Sequence, residues 1–235
     1  MTGRVNSIQS LAAVDGPGVR FAVFLQGCHL RCGCCHNPDT WSMDGGEEYT
    51  PNEIVDRAER YREYFGNEGG ITLSGGEPLL QADFTCEVFR ICRERSINTC
   101  LDTSGAVPLT ESVKNVLRYT DTVLLDVKYV TDELYQAHVG CEIARPLAFL
   151  DYLNGEKIPT VIRQVTIPGL NSDADSVAAL RDLAAAYECV RKVELLPFHK
   201  LCREKYERLG IEFPFDSYRE PTPENMAELN ELLTK

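Results

Sequence analysis

The sequence contains no apolar run that approaches the ~20 residues a helix needs to cross a bilayer. Its first residues also lack the apolar stretch of a signal peptide, so a cytoplasmic protein with no membrane partner is expected. Positive charge is scarce: 24 Lys and Arg stand against 36 Asp and Glu, and the net charge of −12 argues against a nucleic-acid partner. Repeats of fixed period are absent, which excludes a solenoid, and no linker is visible.

The sequence does contain a recurring pattern, in which a short apolar run is followed by an amphipathic stretch. Runs that are apolar throughout predict parallel strands covered on both faces. The predicted strands are Arg20–Gln26, Gly70–Ser74, Asn98–Asp102, Thr122–Lys128, Thr160–Ile167 and Lys192–Pro197. Six such units predict an α/β fold, a partial (β/α)6 parallel barrel in a single domain over 1–235. Within it, 1–20 is expected to be an N-terminal segment, 20–200 the barrel, and 201–235 a C-terminal extension with a helix.

Helix starts are marked by threonine followed by proline. Thr50 precedes Pro51 and lies three residues before Glu53, the spacing of a capping box. A helix with the apolar stripe Ile54, Ala58, Tyr61 and Phe65 is predicted after it. Thr222 predicts the start of a last helix in the same way.

Polar residues collect where the predicted strands end. They are Gly75-Gly76-Glu77, Asp102-Thr103, Asp126, Lys128, Arg163 and His199. Because active sites of parallel barrels lie at the carboxyl edge of the strands, these residues predict one active site there.

Four of the ten cysteines fall within eight residues, at Cys28, Cys32, Cys34 and Cys35. In a cytoplasmic protein such a group indicates metal or redox chemistry rather than disulfides. The C-x3-C-x2-C spacing of Cys28, Cys32 and Cys35 leaves one corner of an iron–sulfur cluster free for a small molecule. A structural zinc site that adds His36 or Cys34 as the fourth ligand is the alternative, as is a redox or zinc sensor without catalytic activity.

The cysteine motif after the first strand and Gly75-Gly76-Glu77-Pro78 after the second resemble the signature pair of the radical S-adenosylmethionine superfamily. Further segments resemble its glycyl-radical-enzyme activases, above all the short ones that act on pyruvate formate-lyase. These segments are Asp15-Gly16-Pro17-Gly18-Val19-Arg20, 35–41, 101–105, 125–128, Arg163 with Pro168-Gly169, and 194–199. The resemblance runs from about residue 3 to the end of the sequence. One departure is Cys34, which stands where the family usually has an aromatic residue.

The resemblance implies that Cys28, Cys32 and Cys35 hold a 4Fe-4S cluster, which cleaves S-adenosylmethionine reductively to a 5′-deoxyadenosyl radical. That radical removes a hydrogen atom from a glycine Cα of a glycyl radical enzyme, with pyruvate formate-lyase as the expected partner. Activation of a different glycyl radical enzyme, or another reaction of the superfamily, is the alternative. A flavodoxin or ferredoxin is the expected electron donor, and a monomer is expected.

The resemblance also assigns binding residues. The positions expected to contact S-adenosylmethionine are Cys34, His36, Gly76, Glu77, Asp126, Val127, Lys128, Arg163 and His199. Asp102, Thr103 and Asp126 are expected to hold a monovalent cation. Asp15, Gly16, Pro17, Gly18 and Arg20 are expected to bind the partner's glycine loop, with Arg20 offering its guanidinium to the peptide.

Overall fold

The computed structural model describes residues 1–234, in which eight strands lie in the sheet order β3-β1-β2-β4-β5-β6-β7-β8. The strands are β1 Gly3–Ala12, β2 Arg20–Leu25, β3 Glu47–Tyr49, β4 Gly70–Gly75, β5 Asn98–Thr103, β6 Thr122–Asp126, β7 Thr160–Thr166 and β8 Val190–Pro197. By their contacts the described residues fall into two compact units, the first formed by 1–29 and 40–124 and the second by 30–39 and 125–234. The predicted single domain over 1–235 stays a prediction.

Nine α-helices connect and follow these strands within residues 1–234. They are α1 Pro51–Glu59, α2 Arg62–Phe65, α3 Ala82–Glu94, α4 Glu111–Leu117, α5 Asp132–His138, α6 Ala144–Gly155, α7 Ala174–Ala185, α8 Arg203–Leu209 and α9 Pro223–Leu233. None of the helices in the described part of the chain is both long and apolar enough to span a membrane.

The six predicted strands are confirmed as β2 and β4 to β8, with ends displaced by at most two residues. The pairs β2–β4, β4–β5 and β7–β8 are parallel, so the α/β class is confirmed. An open sheet of this order is consistent with the predicted partial barrel.

Strands β1 and β3 were not predicted from the sequence. Both belong to the first unit, where β1 pairs antiparallel with β2 and with β3. Most of β1 is only half-buried or exposed, so it carries polar side chains and lacks the apolar run that marks the other strands. The three residues of β3 include two exposed glutamates and give no strand pattern at all.

The capping box predicted at Thr50 is present, and the last helix predicted after Thr222 begins at Pro223. The helix predicted over the stripe from Ile54 to Phe65 is wrong in one respect, because α1 ends at Glu59 and α2 begins at Arg62. Tyr61 lies in the break, and its ring centroid is 5.7 Å from that of Phe21 in β2. The break therefore places an aromatic ring against the sheet.

The strands of the first unit have two chemically different faces. Pairing of β2, β4 and β5 puts Arg20, Thr72, Ser74, Asn98, Cys100 and Asp102 on one side, which we call the polar face. The opposite side carries Phe21, Val23, Leu25, Ile71, Leu73 and Leu101, all buried. Alternation of side chains along a strand produces this separation. Both sides are largely buried, and the polar face differs in carrying hydroxyl, amide, thiol and charged side chains besides Ala22 and Phe24.

Candidate active site

The loop after β2 contains the four clustered cysteines, none of which forms a disulfide within residues 1–234. Cys28, Cys32 and Cys35 are partly exposed, whereas Cys34 is 7% exposed. Burial raises the pKa of the Cys34 thiol to about 11, so it stays protonated at neutral pH. The three cysteines of the C-x3-C-x2-C motif are thus the accessible ones, which supports the predicted ligand choice.

Hydrogen bonds within the second unit fix residues 33–39 of this loop. The Gly33 backbone N–H donates to the His138 carbonyl at 2.8 Å, and the Tyr206 hydroxyl donates to the Cys35 carbonyl at 3.1 Å. Lys205 Nζ donates to Asn37 Oδ1 at 2.8 Å. Both Lys205 and Tyr206 lie in α8, so this helix holds the backbone that carries the third motif cysteine.

No group of three or more His, Cys, Asp or Glu side chains among residues 1–234 is arranged to hold a single metal ion. A structural zinc site needs four such groups converging on one ion. In a four-iron cluster each thiolate binds a different iron, so the thiols do not have to converge on one point.

A charged group in the second unit surrounds the end of β6. The Asp126 carboxylate accepts from Lys128 Nζ at 2.6 Å and from Arg163 Nη2 at 3.1 Å. Burial would raise the pKa of Asp126, but the two cations outweigh it and the pKa is lowered. Burial would likewise lower the pKa of Lys128, but Asp126 holds it well above its usual value. The group carries excess positive charge, which suits a carboxylate ligand.

Two histidines of the second unit lie together, with ring centroids 4.2 Å apart. Burial, assisted by His199, lowers the pKa of His36 to about 4, so His36 is neutral at pH 7. Its Nε2 lies 3.1 Å from the His199 carbonyl oxygen, a distance at which the N–H donates. His199 Nδ1 is buried and has no hydrogen-bond partner among the described residues. Because buried polar atoms are normally paired, this atom is suited to a ligand.

Val127 lies in the core of the second unit, and its expected contact with the cofactor stays a prediction. Its side chain is fully buried. Its N–H donates to the Arg163 carbonyl at 3.0 Å, and its carbonyl accepts from Gln164 Nε2 at 3.0 Å. Side chain and backbone are both committed to the packing of the second unit.

Glu77 is expected to contact the cofactor, and its carboxylate is fully buried within the first unit. Oε1 accepts from Thr103 Oγ1 at 2.7 Å and from the Leu79 N–H at 3.2 Å. Oε2 accepts from the Ser104 N–H at 3.0 Å and from Ser104 Oγ at 2.6 Å. With four donors and no exposure, the carboxylate joins the segment after β4 to the segment after β5, and a contact with the methionine ammonium stays a prediction.

Neighbouring backbone leaves no room for side chains at Gly75 and Gly76, the two residues before Glu77. Gly75 has φ of +111°, and a Cβ there would lie 2.3 Å from Leu25 N. A Cβ on Gly76 would lie 2.2 Å from the Gly27 carbonyl oxygen. The absence of a side chain at Gly76 is thus explained by packing, and contact with a cofactor through its backbone stays a prediction.

The first unit also contains two of the three residues expected at a cation site. Ser74 Oγ donates to Asp102 Oδ2 at 2.6 Å on the polar face. The Thr103 hydroxyl donates to Glu77. The cation site itself stays a prediction.

The segment 15–18 lies against the polar face, but the expected role of Arg20 is wrong. Its side chain is fully buried. The guanidinium donates to Thr72 Oγ1, to Asn98 Oδ1 and to four backbone carbonyls. These acceptors occupy the guanidinium donors, so none is left for a peptide. Arg20 is the first residue of β2 and lies beneath the turn that precedes this strand.

The model of the Radical SAM superfamily matches residues 22–181 of the chain. The chain belongs to the radical S-adenosylmethionine superfamily. It is 40% identical over 233 residues to the pyruvate formate-lyase 1-activating enzyme of Escherichia coli K12, covering 98% of this chain and 95% of that one. It is 38% identical over 232 residues to the pyruvate formate-lyase-activating enzyme of Clostridium pasteurianum, covering 98% and 97%. Among solved structures, Streptococcus suis SuiB bound to precursor peptide SuiA shares its fold, with a TM-score of 0.71 and 16% identity over 97% of this chain and 46% of that one.

Some residues of this radical S-adenosylmethionine protein were missed by sequence reasoning. Thr72 and Ser74 had a signal, since they are the polar positions of an otherwise apolar strand. Tyr206 had none, because nothing in the sequence links it to Cys35, 171 residues earlier.

Proposed function

We propose that the chain activates a glycyl radical enzyme, with pyruvate formate-lyase as the partner. The observation that carries the proposal is the 40% identity to the E. coli activating enzyme over nearly the whole of both chains. The accessible C-x3-C-x2-C thiols supply the ligands that such a reaction needs.

The residues present fit a 4Fe-4S cluster bound by Cys28, Cys32 and Cys35. Their side chains are partly exposed, whereas the neighbouring Cys34 is buried. When bound there, the cluster supplies the electron for reductive cleavage of S-adenosylmethionine. Cys34 then acts as a packing residue in the place of the usual aromatic ring.

The binding of S-adenosylmethionine is assigned to side chains of the second unit. Lys128 and Arg163 neutralise Asp126 and leave positive charge for the methionine carboxylate. The unpaired His199 Nδ1 is suited to a hydroxyl of the ribose or to the adenine. We further propose a monovalent cation held by Asp102, Thr103 and Asp126.

The remaining partners follow from the same proposal. A flavodoxin or ferredoxin delivers the electron, and the activase works as a monomer. Ten cysteines that form no disulfide within residues 1–234 support a reducing compartment, the cytoplasm. Membership of an enzyme superfamily leaves the non-catalytic sensor without support.

The test is anaerobic reconstitution with iron and sulfide, followed by reaction with S-adenosylmethionine, a chemical reductant and purified pyruvate formate-lyase. We expect release of 5′-deoxyadenosine and a glycyl radical signal in electron paramagnetic resonance. A signal on another glycyl radical enzyme, with none on pyruvate formate-lyase, would show that the partner is wrong. Absence of S-adenosylmethionine cleavage would refute the proposed function itself.

A further inference from the structure

The hydroxyl of Tyr129 is a buried polar group of the second unit to which neither the active site nor the core gives a role. Tyr129 is 1% exposed, and its hydroxyl oxygen has no hydrogen-bond partner within residues 1–234. Burying an unpaired hydroxyl is costly, so a tyrosine in a core normally finds a partner for it. The unpaired hydroxyl therefore indicates a ligand that meets Tyr129 at this point.

The neighbouring Tyr135 is equally buried but has a paired hydroxyl. The ring centroids of Tyr129 and Tyr135 are 6.3 Å apart, in an edge-to-face arrangement. The Tyr135 hydroxyl accepts from the Lys128 backbone N–H at 3.0 Å and donates to the Asp126 carbonyl oxygen at 3.5 Å. Two tyrosines in contact thus differ in one respect, because the hydroxyl of Tyr135 serves the backbone of this chain and that of Tyr129 does not.

A layer of aromatic rings places Tyr129 beside the cysteine loop. The His138 ring centroid lies 5.6 Å from that of Tyr129 and 5.2 Å from that of Phe215. The His138 carbonyl accepts the Gly33 backbone N–H at 2.8 Å, and a Cβ on Gly33 would lie 2.3 Å from Phe215 Cε1. The loop segment between Cys32 and Cys34 therefore rests on the ring layer to which Tyr129 belongs.

The electrostatic surroundings of the Tyr129 hydroxyl agree with this placement. Burial raises the pKa of the hydroxyl, and negative charge on Cys34 and on Cys32 raises it further. The hydroxyl therefore keeps its proton at neutral pH and is a hydrogen-bond donor. Cys32 is one of the three residues proposed to bind iron, and a bound cysteine is a thiolate, which is an acceptor.

We propose that the Tyr129 hydroxyl donates a hydrogen bond to a sulfur of the 4Fe-4S cluster, either the Cys32 thiolate or a sulfide bound beside it, and thereby makes the cluster easier to reduce. This inference rests on the proposed function for the presence of the cluster. Hydrogen bonds to the sulfurs help to set the reduction potential of such clusters. The reduced cluster carries one more negative charge, so it accepts the stronger hydrogen bond and is stabilised relative to the oxidised one.

The test uses Tyr129→Phe, which keeps the ring and removes the hydroxyl, and a second protein with 3-fluorotyrosine at position 129. The fluorine makes the hydroxyl more acidic and so a stronger donor. The matched control is Tyr135→Phe, which makes the same chemical change at the neighbouring buried ring. Each protein is reconstituted anaerobically and its iron is counted. The midpoint potential is then measured by electron paramagnetic resonance at a series of applied potentials, without S-adenosylmethionine or a partner enzyme.

For Tyr129→Phe we expect the ratio of reduced to oxidised cluster at a fixed potential to fall about tenfold, which corresponds to a midpoint about 59 mV more negative for one electron. The 3-fluorotyrosine protein should shift the other way. Tyr135→Phe should keep the wild-type midpoint, although it leaves the Lys128 N–H unpaired and lowers stability to urea.

An unchanged midpoint in Tyr129→Phe would overturn the inference. An equal shift in Tyr135→Phe would do the same, because it would show that ring packing sets the potential. If Tyr129→Phe takes up no iron, an unchanged midpoint in the 3-fluorotyrosine protein is the result that overturns it, and a shift to more positive potential supports it. A wild-type protein that takes up no four-iron cluster would instead refute the proposed function.

Discussion

Replacing Glu77 with glutamine tests whether this carboxylate is a structural acceptor or a cofactor contact. The carboxylate accepts two hydrogen bonds on each oxygen, and one of each pair comes from a backbone N–H, of Leu79 or of Ser104. Whichever oxygen becomes an amide NH2, one of these buried N–H groups faces another donor. Leaving one buried donor unpaired costs about 1–3 kcal/mol. We therefore expect Glu77→Gln to lower the free energy of unfolding by about that amount.

The assay is urea unfolding under anaerobic conditions, with Glu87→Gln as control. Glu87 undergoes the same chemical change on an exposed helix surface, where it pairs with Arg90 at 2.7 Å. Loss of an exposed pair costs no more than about 1 kcal/mol. The same samples are titrated with S-adenosylmethionine after reconstitution. A Glu77→Gln protein as stable as the control, but with weakened S-adenosylmethionine binding, would refute the structural role and restore the direct contact with the methionine ammonium.

Three further outcomes are expected. Replacing Cys28, Cys32 or Cys35 with alanine should abolish iron incorporation, whereas Cys34→Ala should retain it; iron that survives loss of Cys35 but not of Cys34 would reverse the ligand assignment. Lys128→Ala and His199→Ala should keep the cluster but weaken S-adenosylmethionine binding roughly 10- to 150-fold, equivalent to about 1.5–3 kcal/mol, as measured by titration; unchanged affinity in both variants would remove these residues from the site. Tyr206→Phe should leave the fold intact, because the ring still packs on Phe213 at 4.8 Å, and should speed cluster loss to a chelator through release of the Cys35 carbonyl; an unchanged rate of loss would contradict this role.

The strands and the motif residues could be predicted because their signals are local. Apolar runs mark β2 and β4 to β8, and the cysteine spacing marks the ligands. The direction in which an individual side chain points was harder to predict from the sequence. Val127 lies between Asp126 and Lys128 in the predicted strand. Because side chains alternate along a strand, the sequence already indicates that Val127 points to the face opposite these two residues. Arg20 is the first residue of β2, so it lies at the edge where the strands begin. The cysteines follow the end of β2 and Glu77 follows the end of β4, at the opposite edge.

Other features could not be predicted, because they depend on contacts between distant positions. Glu77 has the position of a ligand residue, and only the donors supplied by Thr103 and Ser104 reveal that it is fully occupied. β1 could not be recognised from its own residues, because its pairing with β2 and not its apolar content makes it a strand.

The division of the chain has a consequence for the order of events during synthesis. Residues 30–39 belong to the unit whose other residues begin at 125, although 1–29 and 40–124 form the other unit. The Cys35 carbonyl accepts a hydrogen bond from the Tyr206 hydroxyl, which lies 171 residues further along the chain. At about 5–20 residues per second, a ribosome needs roughly 10–35 s to supply it. During that interval the thiols of a nascent chain lack the contacts that fix the loop. A fragment ending before α8 would therefore present Cys35 without the hydrogen bond that holds its carbonyl.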